Sequence, residues 1–183
     1  MTTVTDGFSG TGALSANWTD VSAGLVCSSG QLSGSGYSYW NANTFVGNQT
    51  AQIVVKVLPS SEWGAGPMLK YEPGPQDNYY VSYNSARIFV VRISSIVIDV
   101  DPTTISVNDI IKLTAETSGS DLVIKLYKNG VEIGSYTDTS PLTGTYIGVR
   151  TYTGDATWRA DDWEGGDLAG GTAGAAIAYL SQL

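Results

Sequence analysis

Asp121-Leu-Val-Ile-Lys-Leu-Tyr-Lys-Asn-Gly-Val-Glu-Ile-Gly-Ser-Tyr136 is the stretch that decides the fold class. Leu122, Ile124 and Leu126 fall on one face of an extended chain, and Val123, Lys125 and Tyr127 on the other. That alternation is the mark of a strand with one face in a core. Asn129-Gly130 follows at once. Both central residues of a type I′ turn need positive φ, which Asn-Gly tolerates, so Val131 to Tyr136 reads as the returning strand of a hairpin.

Working outward, strands are predicted over Gln52 to Leu58, Gly66 to Tyr71, Asn78 to Asn84, Arg87 to Ile93, Ile96 to Val100, Ile110 to Glu116, Thr145 to Thr151 and Thr157 to Trp163. Between them lie turn clusters such as Glu72-Pro-Gly-Pro-Gln-Asp77 and Thr117-Ser-Gly-Ser120. Short strands at this spacing predict an all-β antiparallel sandwich. Helical periodicity is nearly absent, and no fixed repeat marks a propeller or solenoid. The Gly-rich Ala23 to Tyr37 reads either as a strand pair or as a flap. The 183 residues suffice for one such domain, expected over residues 1–164. Residues 165–183 form a Gly/Ala-rich linker and an apolar C-terminal arm.

The inventory narrows the chemistry. The chain has no histidine and one cysteine, which removes imidazole-based acid/base work, Ser/His and Cys/His nucleophiles and most catalytic zinc sites. Cys27 has no partner for a disulfide and reads as a small buried hydrophobe. Nine basic residues stand against seventeen acidic ones, for a net charge of −8. No basic cluster is present to meet phosphates, so no nucleic-acid partner is expected. The apolar stretches Ile53 to Leu58 and Ile88 to Ile93 are strand-length and contain Lys or Arg, so no membrane span is expected. Met1 to Asp6 lacks the basic and apolar regions of a signal peptide, and export by the secretory route is not expected.

A set of positions resembles the concanavalin A-like lectin/glucanase (laminin G-like) family. They are Asp6-Gly-Phe8, Leu14, Asn17-Trp18-Thr19, Gly66-Pro-Met68, Tyr79-Tyr80, Asp109 to Thr114, Tyr127-Lys-Asn-Gly130, Thr137-Asp138, Gly144 to Val149 and Asp161-Asp-Trp163. The resemblance implies a jelly-roll sandwich of two antiparallel sheets. Its first and last strands would be neighbours, with Asp6 and Phe8 near Asp161 and Trp163, and Trp18 and Trp163 buried. Members include lectins, glycosidases, lyases and non-catalytic domains of phage tail, fibre and capsid-decorating proteins.

Retaining glucanases of this family carry E-x-D-x-x-E on one strand. Here Glu62, Glu72, Glu116, Glu132 and Glu164 stand singly, which leaves no catalytic residue to name. Sugar stacking would fall to Trp40, Trp63, Tyr71 and Tyr79, with cross-strand aromatic packing as the alternative. No cofactor is expected. Calcium is the one ion the carboxylates suggest, through Asp99 and Asp101, which share a face of one strand; a solvated acidic edge is the other reading. Ile177, Tyr179, Leu180 and Leu183 read as an arm docking on a neighbour, or as a frayed end. Together these features lead to the expectation of a non-enzymatic structural protein of a virion surface, capsid-decorating or tail-associated in a phage and made in the host cytoplasm. Its partners would be other virion proteins or copies of itself, with glycans as further partners. The alternative is a free-standing carbohydrate-binding module; a carboxylate-only glycosidase stands third.

Overall fold

The computed structural model describes residues 2–22, 24–60, 63–151 and 157–168. Among them are fifteen strands and no helix: β1 (Thr3–Asp6), β2 (Trp18–Asp20), β3 (Leu25–Ser28), β4 (Gln31–Gly34), β5 (Tyr37–Trp40), β6 (Gln49–Val57), β7 (Gly64–Tyr71), β8 (Tyr79–Tyr83), β9 (Ile88–Arg92), β10 (Ser95–Val100), β11 (Ile110–Ser118), β12 (Asp121–Lys128), β13 (Val131–Asp138), β14 (Tyr146–Arg150) and β15 (Arg159–Asp167). Sheet I has the order β13-β12-β11-β6-β15-β4-β3, with β1 also on β15; sheet II has the order β10-β9-β8-β7-β14-β5-β2. Every pairing is antiparallel.

The β12–β13 hairpin forms as the sequence predicts, with Asn129 at φ 52° and Gly130 at φ 80°. Asn129 also receives the Ile110 N–H on its side-chain oxygen at 2.8 Å and donates to Asp109 at 2.7 Å, which ties the turn to the start of β11. β1, β2 and β5 lie where alternation predicts no strand. Like β3 and β4, each has three or four residues, too short to display a period. The Gly-rich stretch resolves into the strand pair β3–β4, turned at Ser29-Gly30 with φ of 54° and 76°. β15 joins the ends of sheet I. It runs along β6, and its Trp163 to Gly166 lie opposite Asp6 to Thr3 of β1.

The core lies between the sheets. Ala51, Ile53 and Val55 of β6 and Leu122, Ile124 and Leu126 of β12 face Val81 and Tyr83 of β8, Ile88 and Val90 of β9, and Ile147 and Val149 of β14. Each aliphatic side chain so removed from water contributes about 1.5–3 kcal/mol. At one end Trp18, Trp40 and Trp163 form a single cluster, with ring centroids 4.7 Å apart for Trp18–Trp163 and 5.5 Å for Trp40–Trp163. Their indole N–H groups are satisfied locally: Trp18 donates to Asp6 at 2.8 Å and Trp40 to Asn43 at 3.2 Å. No described helix is long and apolar enough to cross a membrane.

Candidate functional site

Sheet I is amphipathic, but the middle of sheet II is buried on both faces. All five residues of β8 are buried: Tyr79, Val81 and Tyr83 face the core, so Tyr80 and Ser82 face outward. On β9 the outward pair is Phe89 and Val91. A second apolar cluster results on the outer face, comprising Met68, Tyr71, Tyr80, Phe89 and Val91, with Val21, Tyr37, Tyr39, Trp63 and Tyr146 half-buried around it. An antiparallel sheet with one face on a core ordinarily presents polar residues on the other.

Three local devices place these rings. Met68 and Tyr71 are three residues apart, a spacing that a regular strand would send to opposite faces. Lys70 between them adopts φ 54°, and this bulge resets the alternation. Gln49 holds the bulge: its buried side chain accepts the Lys70 N–H at 2.7 Å and donates to the carbonyls of Phe45 at 2.5 Å and Gly144 at 3.2 Å. On β14, Gly148 lies opposite both Tyr39 and Met68, and a Cβ there would sit 2.1 Å from the Ser38 carbonyl oxygen. Glycine therefore lets β5 and β14 close up, and Tyr39 leans over to Tyr146 and Tyr71, with centroids at 4.7 and 5.0 Å.

Arg150 alternates with Gly148 and Tyr146 on the outward side of β14. Its ladder partner on β7 is Gly66, where a Cβ would sit 2.5 Å from the Val81 carbonyl oxygen. The guanidinium lies over the Tyr37 ring at 4.8 Å and the Tyr80 ring at 4.5 Å. Tyr37 donates its hydroxyl proton to Gln76 of the β7–β8 loop at 2.5 Å. Burial pushes the Tyr71 hydroxyl up to about 12, with Tyr37 and Tyr39 adding to the shift and Arg150 opposing it. The Tyr71 hydroxyl therefore stays protonated at neutral pH. Across the sheet, Trp63 packs edge-on against Phe89 at 4.7 Å, and Arg87 lies over both rings.

The structure separates the residues proposed from sequence. Tyr71 and Trp63 are on the outer face, Tyr71 beneath Tyr37 and Tyr39, and Trp63 half-buried. Trp40 is corrected: it is 6% exposed in the tryptophan cluster, and its neighbour Tyr39 faces outward instead. Tyr79 is corrected in the same way. It is fully buried and donates its hydroxyl to Asp138, which also takes Arg92 at 2.5 Å, while Tyr80 faces outward. Asp99 is occupied by Arg87 through two bonds of 2.8 and 2.6 Å, which hold its carboxyl below the usual range. β10 ends at Val100, so Asp101 does not share its strand. Among the described residues no group of three or more metal-ligating side chains gathers. Ile177, Tyr179, Leu180 and Leu183 lie outside the described residues. Tyr80 and Tyr146 enter the sequence reading only through the family resemblance, and Arg150 only within a predicted strand. Their meeting depends on β14 inserting between β5 and β7, which no local pattern announces.

No family model and no curated protein sequence matches the chain. Solved structures do. A prokaryotic β-1,3-1,4-glucanase (lichenase) derived from a mouse hindgut metagenome superposes with a TM-score of 0.61 at 12% identity, over 92% of this chain and 100% of that one. An endo-1,3-β-glucanase of Streptomyces sioyaensis gives 0.58 at 8% identity, over 90% and 96%. The carbohydrate-binding module CBM66 of Bacillus subtilis gives 0.56 at 16% identity, over 80% and 91%. With its two antiparallel sheets, its paired first and last strands and these neighbours, the chain has the concanavalin A-like lectin/glucanase jelly-roll fold.

Proposed function

We propose that the chain is a carbohydrate-binding module that takes saccharides on the outer face of sheet II and does not hydrolyse them. One observation carries this reading: a sheet face turned away from the core is built of aromatic rings, with Tyr37, Tyr39 and Tyr146 half-exposed above Tyr71 and Tyr80. Sugar rings present C–H faces that pack on aromatic rings and hydroxyls that pair with phenolic ones, so an array of tyrosines offers both. That CBM66 is named a carbohydrate-binding module agrees with it.

Hydrolysis of a glycosidic bond ordinarily needs two carboxyl groups flanking it. β5, β7, β8, β9 and β14 contain no Asp or Glu. On sheet I, Asp6, Asp162 and Glu164 border a hollow of about 290 Å³. Asp6 there accepts from the Phe8 N–H at 2.7 Å and Trp18 at 2.8 Å, and Asp162 pairs with Lys56 at 3.4 Å. Asp6 is thus engaged in holding the fold, and Asp162 is paired at the surface. Of the features behind the virion-surface role expected from the sequence, the apolar arm lies outside the described residues. The carbohydrate-binding alternative rests on described side chains and becomes the main reading, compatible with either location.

The test is a panel of soluble polysaccharides screened by affinity electrophoresis and calorimetry, against the protein and its Tyr39→Ala/Tyr146→Ala variant. At least one saccharide should be retarded, with affinity falling about tenfold or more in the variant, and no reducing sugar should be released. Retention of none, or release of reducing sugar, overturns the reading.

A further inference from the structure

Arg150 differs from most of the other cations. Lys56, Arg87, Arg92, Lys125 and Lys128 each pair with a carboxylate. Arg150 pairs with none among the described residues, and none of its guanidinium N–H donors meets an acceptor there; the guanidinium lies against the faces of Tyr37 and Tyr80. It is half-buried, so part of its hydration has been given up without a hydrogen bond in return. The one carboxylate on the outward side of β10, Asp99, is already held by Arg87. In a chain with seventeen acidic residues and a net charge of −8, a cation without an acidic partner on the aromatic face is a local exception.

We infer that the saccharide bound on sheet II is acidic and that Arg150 receives its carboxylate, an assignment that rests on the saccharide-binding reading above. The guanidinium is planar and offers parallel N–H donors at a spacing that matches the two oxygens of a carboxylate. Stacking against ring faces holds the plane without using those donors, so the ion is oriented before the ligand arrives. Tyr37 beside it, and Tyr39 and Tyr146 further along the same face, are the surfaces for the neighbouring pyranose rings. A uronic-acid polymer supplies both groups in one repeat: a carboxylate on the ring and a C–H face beside it.

The experiment measures affinity for polygalacturonate, alginate and hyaluronate oligosaccharides, each against its carboxyl-reduced counterpart, and for a sulfated galactan, at neutral pH. An acidic member should bind at least tenfold tighter than its reduced partner. Arg150→Gln should bring the two to parity, and Arg150→Lys should keep part of the preference. Lys125→Gln on sheet I should leave both affinities unchanged. Thermal melts of the Arg150 variants show whether the fold is kept. Equal binding of acidic and reduced forms overturns the inference and leaves the saccharide reading standing. So does a preference for the sulfated galactan, or one that survives Arg150→Gln. Binding to no saccharide overturns both.

Discussion

On sheet I the positions that alternate with the core are filled by Lys112, Glu116, Val123, Lys125 and Tyr127. Lys125 pairs with Glu116 at 3.3 Å, and Lys112 lies over the Tyr127 ring at 6.0 Å. On sheet II the corresponding places hold Tyr37, Tyr39, Tyr71, Tyr80, Phe89 and Tyr146. Both sheets bury one face in the same core with the same antiparallel ladder, so the core does not require the difference. Exposed ion pairs on sheet I contribute about 0–1 kcal/mol each and serve mainly to keep that face wetted. The rings on sheet II leave apolar surface next to phenolic hydroxyls, which suits a ligand with alternating C–H and O–H faces. An aromatic outer layer is thus a property of one face, and adjacent residues on a single strand can test it.

Trp40 and Tyr39 are such neighbours. Trp40→Ala removes a ring from the tryptophan cluster and should cost about 3–5 kcal/mol, read as a lower urea midpoint. Tyr39→Ala, on the opposite face, should cost less than half as much and lower saccharide affinity instead. Equal destabilisation by both would mean that the outer layer is a second core rather than a binding surface.

Gln49→Leu should cost about 3 kcal/mol, since burial leaves the Lys70 N–H and the Phe45 and Gly144 carbonyls without their partner. Because Gln49 fixes the bulge that turns Tyr71 outward, affinity should fall with it. Unchanged affinity in a folded Gln49→Leu protein would show that Tyr71 keeps its place by packing alone.

The smallest effect concerns pH. Burial disfavours the Asp138 carboxylate, but hydrogen bonds from Tyr79, Arg92 and Ser140 outweigh it and hold the pKa below its ordinary value. The unfolded chain binds that proton near pH 3.9, so the stabilisation is complete above that pH and is lost as pH falls through the lowered folded value. Urea midpoints at pH 6 and pH 3 should differ less in Asp138→Asn than in the parent. Saccharide affinity should be untouched, because Tyr79 of sheet II and Asp138 of sheet I meet on the core side, away from the outer face.

The sequence made the hairpin at Asn129-Gly130 and the long strands from β6 onward legible, because turn chemistry and alternation are local. It also pointed to aromatic segments at the right places and took the wrong phase in two of them. Trp40 was chosen where Tyr39 faces outward, and Tyr79 where Tyr80 does. In β8, buried on both faces, alternation of apolar with apolar carries no sign of which side is the core, and in β5 aromatic rings on both faces hide it in the same way. The bulge at Lys70 adds a shift that only the Gln49 contacts explain. β1, β2 and β5 escaped the pattern because three or four residues are too few to display a period. Arg150 gained its meaning from strand order alone.

The most direct test is a titration of the isotope-labelled protein with the tightest saccharide of the panel, following backbone and Arg side-chain resonances. Shifts concentrated at Tyr37, Tyr39, Tyr146 and the Arg150 guanidinium, with Lys112, Lys125 and Tyr127 unmoved, are the predicted result. Shifts centred on the sheet I hollow at Asp6, Asp162 and Glu164, with the tyrosine face silent, would contradict the account.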